Sequence, residues 1–73
     1  MPEQAAELKK LVDVASSMEY PDRLRMEAVQ SIGRIGTHEA LLALLEMAGN
    51  ERLIRHQREL ALNIAMKIVK SNR

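Results

Sequence analysis

The sequence lies on itself at an offset of 33 residues, and this constrains the fold more than any other feature. Leu8, Leu11, Val12, Asp13, Val14 and Ala15 fall on Leu41, Leu44, Leu45, Glu46, Met47 and Ala48. Arg25, Ala28, Val29, Gln30, Arg34 and Ile35 fall on Arg58, Ala61, Leu62, Asn63, Lys67 and Ile68. Apolar positions stay apolar, and basic positions stay basic. A repeat of this period is the mark of stacked supersecondary units, each too small to bury its own apolar face.

Punctuation divides each half into two helices. Apolar residues recur at helical spacing from about Glu3 to Ser17, and Tyr20-Pro21 interrupts them, because the residue before proline is pushed out of the α region. Pro21 and Asp22 start a second helix that ends at Gly36, where glycine can take the left-handed closing conformation. Thr37 is the expected N-cap of a third helix through Ala48, ended by Gly49. Asn50 is the expected cap of a fourth, from about Glu51 to Ser71. No segment alternates with period two, so no strands are expected. Short connections favour antiparallel neighbours. The expected fold is all-α: a short right-handed α-solenoid of two antiparallel hairpins. One domain spans residues 1–73, with repeat one at about 3–36 and repeat two at about 37–71.

With 73 residues the core is thin, and a stability of about 3–5 kcal/mol is expected. There is no Trp or Phe and one Tyr, so packing is aliphatic. Cysteine is absent, which removes disulfides, zinc–thiolate sites and thiol nucleophiles. The first residues carry neither the basic flank nor the apolar stretch of a signal peptide, and the longest apolar run, Ala40 to Leu45, is too short for a bilayer. The chain therefore reads as cytoplasmic.

The second helix resembles a HEAT repeat of the short bacterial type, similar to those of phycobilisome-lyase-like proteins. The resemblance rests on Leu24-Arg25, Ala28-Val29, Ser31-Ile32-Gly33 and Ile35-Gly36, followed by Thr37-His38-Glu39-Ala40-Leu41, Leu44 and Leu45. It covers about a third of the chain. It implies structural roles for Arg25, Ala28, Gly33 and Gly36, with Arg25 and Arg58 bonding to a neighbouring loop or repeat. Gly33 inside a helix costs about 1 kcal/mol relative to Ala, so a close approach is expected there. The fourth helix departs from the pattern. Gln57 stands where Leu24 stood, and Met66-Lys67-Ile68-Val69 replaces Gly33-Arg34-Ile35-Gly36, as in a terminal repeat.

Catalytic chemistry has little to work with. His38-Glu39 resembles the dipeptides that hold iron in HEAT-like hydroxylases, but it stands alone, and Ala5-Ala6 occupies the equivalent place. His56 reads as an exposed helical imidazole. Nothing sets Ser16, Ser17 or Ser31 against a base. No enzyme, metal or cofactor is expected. Met18, Met26, Met47 and Met66 read as gap-fillers in the core.

Charge is uneven. From Glu51 onward six basic residues stand against two acidic ones, whereas the first fifty residues hold five against eight. Arg52, Arg55, Arg58, Lys67 and Lys70 form an expected docking surface for another protein, one rich in acidic groups. The alternative is an accessory protein that binds nucleic acid through this basic helix. The leading expectation is a small HEAT-like adaptor or regulator. Leu62, Met66 and Val69 form a second apolar stripe on the fourth helix, beside the one facing the core. Its exposure predicts a two-fold homodimer.

Overall fold

The computed structural model describes residues 2–71 and contains four α-helices and, among those residues, no strand. They are α1 (Pro2–Ser16), α2 (Asp22–Ile35), α3 (His38–Ala48) and α4 (Arg55–Ser71). Arg73, counted in the basic segment, lies outside the described residues.

Local chemistry sets most of the ends. Pro21 holds an extended conformation ahead of α2. Gly36 closes α2 at φ 66°, donating its N–H to the Ile32 carbonyl, a left-handed residue where a side chain would be strained. The Thr37 hydroxyl accepts from the Ala40 N–H at 3.1 Å and opens α3. Gly49 ends α3 without a left-handed turn, at φ −92°.

The fourth helix corrects the sequence reading. It starts at Arg55, not near Glu51, and Arg52 lies in the preceding turn. The Asn50 side chain accepts from the Arg52 N–H at 3.0 Å, and its backbone oxygen accepts from Leu53 at 3.1 Å. Asn50 thus stabilises a separate turn rather than capping a helix. That turn carries Leu53 into the core before the helix begins. Arg55 stands 33 residues after Asp22, where α2 begins, so the observed start keeps the repeat offset.

Helix α1 packs against α2, and α3 against α4; α2 also touches both α3 and α4. The core is small and rich in alanine: Ala15, Ala28, Ala40, Ala61 and Ala65 surround Val29, Ile32, Leu44, Met47, Leu53 and Ile68. Short side chains bring the helices close. At Gly33 the approach leaves no room for a side chain: an added Cβ would overlap the Cγ2 of Ile64 on α4. A residue that lowers helix propensity is here the condition for α2 and α4 to touch.

Candidate functional site

Two buried polar side chains tie the helix pairs together. Arg25 and Gln57 are both almost wholly buried, and burial of such groups requires partners. The Arg25 guanidinium donates to the Tyr20 carbonyl, to the Asp22 carboxylate and, through Nε at 3.1 Å, to Gln57 Oε1. Gln57 Nε2 donates in turn to the Ala15 carbonyl at 2.6 Å. One chain of bonds therefore joins the end of α1, the 17–21 turn, α2 and α4. The carboxylate of Asp22 also lies 4.0 Å from His56 Nε2, on the surface.

Arg58 does related work in the second pair. Its Nε donates to the Ala48 carbonyl at 3.1 Å, at the end of α3. Ala48 and Ala15 are related by the 33-residue offset, so the same unsatisfied helix-end carbonyl occurs twice. The second is met by an arginine of its own pair. The first is met by a glutamine from the other pair, while Arg25 turns to Tyr20 and Asp22.

The expected basic surface is divided. Arg52 is exposed in the turn, and Arg55 and Arg58 border an open cleft of about 240 Å³ with Glu59, Leu62 and Ala48. Lys67 belongs to a different place, a groove of about 420 Å³ between α2 and α4. Gly33, Leu60, Ile64 and Ile68 supply its apolar surface; Gln30, Arg34, Lys67 and Ser71 supply its polar groups. Lys70 is exposed and lines neither. Arg34 and Lys67 are another pair at the repeat offset, and both stand at this groove.

The second apolar stripe is exposed. Leu62, Met66 and Val69 retain 45%, 47% and 41% of their accessible surface, and Leu42 and Leu45 on α3 retain 49% and 41%. Val29, the counterpart of Leu62, retains none. A third, open cleft of about 350 Å³ lies on the first pair, lined by Leu11, Val14, Tyr20, Leu24, Glu27, Ala28 and Ser31. Ala28 is buried, yet it borders this open cleft, whereas Gly33 is the site of tight contact. The methionines also divide. Met47 is in the core and Met26 half-buried, but Met18 and Met66 are exposed, contrary to the gap-filling role expected of them.

His38 and Glu39 are both exposed in the first turn of α3. Among the described residues no group of three or more metal-ligating side chains comes together. No helix among them is long and apolar enough to cross a membrane. Sequence reasoning passed over Gln57 as a departure from pattern. The signal was there: a polar residue among apolar positions, 32 residues from an arginine in the other half. Comparison with family models, with curated proteins and with solved structures finds no match to the chain.

Proposed function

We propose that the two helix pairs are consecutive units of a short α-solenoid of HEAT-like type, and that the protein is a non-catalytic interaction module. The α2/α4 groove holds an acidic segment of another protein. The observation that carries this reading is the placement of Arg34 and Lys67, related by the repeat offset, beside the apolar surface of Leu60, Ile64 and Ile68. An apolar floor with two cations at its edge suits a segment that alternates apolar and acidic side chains. The cations supply steering and selectivity more than affinity.

The division of the basic residues favours a protein partner over nucleic acid. Arg58 is engaged with the Ala48 carbonyl, and Lys67 lines a different groove from Arg55 and Arg58, which divides the cations that would have to follow one phosphate backbone. The test is recovery of partners on the immobilised chain, identified by mass spectrometry, beside the Arg34→Glu/Lys67→Glu double variant. Both side chains are exposed, so the variant is expected to fold. One stoichiometric acidic protein, lost from the double variant, is the expected result. Recovery that the double variant leaves unchanged contradicts the groove, and recovery abolished by nuclease replaces the reading with nucleic acid.

A further inference from the structure

We propose that copies of this protein stack head to tail, the first helix pair of one copy seating on the second helix pair of the next. The inference rests on the reading of the pairs as consecutive units, and takes the junction inside the molecule as the pattern for a junction between molecules.

Inside the molecule the first pair receives the second at two defined points. Gln57 lands on the Ala15 carbonyl, and Ile64 lands on Gly33. Moving the receiving points by 33 residues gives Ala48 and Met66, and the exposed Leu45, Leu62 and Val69 share their helices. These side chains occupy the receiving face of the second pair, where nothing sits. Moving the landing points back by the same offset gives Leu24 and Ser31. Both border the open cleft on the first pair. The two exposed faces are thus the two halves of a junction that the molecule already builds once.

The substitutions at the landing points match each other. Where Ile64 meets Gly33 within the chain, Ser31 of a second copy would meet Met66: the large and small partners have exchanged sides, and contact is kept. Where Gln57 must satisfy the Ala15 carbonyl, Leu24 of a second copy would approach Ala48. That carbonyl already accepts from Arg58, so an apolar visitor leaves no buried oxygen unpaired. Neither exchange is required by the fold of a single copy. Both fit a repeated junction. Such a contact pairs unlike surfaces, so it leaves one unfilled face of each kind at the two ends of a stack and adds copies as concentration rises, unlike a two-fold dimer of α4 stripes.

Sedimentation equilibrium on the full chain separates these outcomes, with Met66→Glu and Leu24→Glu each blocking one face. Both residues are exposed in the monomer, and circular dichroism checks each variant's fold. The wild type is expected to gain average mass continuously with concentration, beyond a dimer. Each variant alone is expected to associate roughly tenfold more weakly or less, since a carboxylate would be buried. An equimolar mixture is expected to form a one-to-one dimer, from the intact face of each. Leu62→Lys and Leu24→Lys replace any variant that fails to fold. A wild type that stays monomeric, a mixture that stays monomeric, or a Leu24→Glu variant that dimerises like the wild type overturns the proposal; the last establishes two-fold pairing of α4. A monomer that still captures a partner through Arg34 and Lys67 ends the stacking and leaves the groove reading intact. Stacking by a chain that captures nothing does the reverse.

Discussion

Gln57 on α4 reaches across 42 residues of sequence to donate a 2.6 Å hydrogen bond to the backbone oxygen of Ala15, at the end of α1. The same side chain accepts from Arg25, so one amide satisfies a helix-end carbonyl and a buried cation together. Replacing Gln57 with Leu should leave the Ala15 carbonyl and the Nε–H of Arg25 without partners. A loss of roughly 2–4 kcal/mol is expected, because each buried unsatisfied group costs about 1–3 kcal/mol. Urea unfolding followed by circular dichroism measures it. A neutral result would mean that water enters and replaces the amide.

Gly33 and Ile64 should behave as one unit. Alanine ordinarily stabilises a helix interior by about 1 kcal/mol over glycine. Here Gly33→Ala is expected to destabilise by about 1–3 kcal/mol, through overlap with the Ile64 Cγ2. Ile64→Ala removes that methyl, so in the double variant the cost of Gly33→Ala should largely vanish. A double-mutant cycle reads the coupling. Simple additivity would mean that the helices separate freely.

The two helix-ending glycines should differ. Gly36 has φ 66°, which disfavours any side chain, and Gly36→Ala is expected to cost about 1 kcal/mol. Gly49 has φ −92° and room around its Cβ position, so Gly49→Ala should be tolerated. Thermal midpoints of the two variants make the comparison, and equal losses would contradict the assigned backbone conformations.

Nucleic acid should not bind. Of the cations that the sequence groups together, Lys67 lines a different groove from Arg55 and Arg58, and Arg58 is engaged by a carbonyl. Titration of a labelled duplex at low salt is expected to show no saturable signal. Binding that falls steeply with added salt would instead identify phosphate contacts.

The helices were legible in the sequence because proline, glycine and threonine mark their ends by local conformation alone. The start of α4 was not. Asn50 has the chemistry of a cap, and only the repeat offset, which points from Asp22 to Arg55, distinguishes a cap from a turn. Likewise the role of Gln57 depends on a carbonyl in the other half of the chain, which no local pattern displays. The exposed stripe of Leu62, Met66 and Val69 was visible as periodicity. Its partner cleft between α1 and α2 was not, because its residues look like an ordinary core stripe until the counterparts Leu44, Met47, Gln57 and Ala61 are seen buried. Basic spacing along α4 likewise did not display that Lys67 lines a different groove from Arg55 and Arg58.

The most direct measurement of the stacked-unit account is a dilution series of amide NMR spectra on the wild-type chain. Amides of Leu24 and Ser31 on the first pair, and of Leu62, Met66 and Val69 on the second, should shift together as concentration rises. Spectra independent of concentration, or shifts confined to α4, would contradict it.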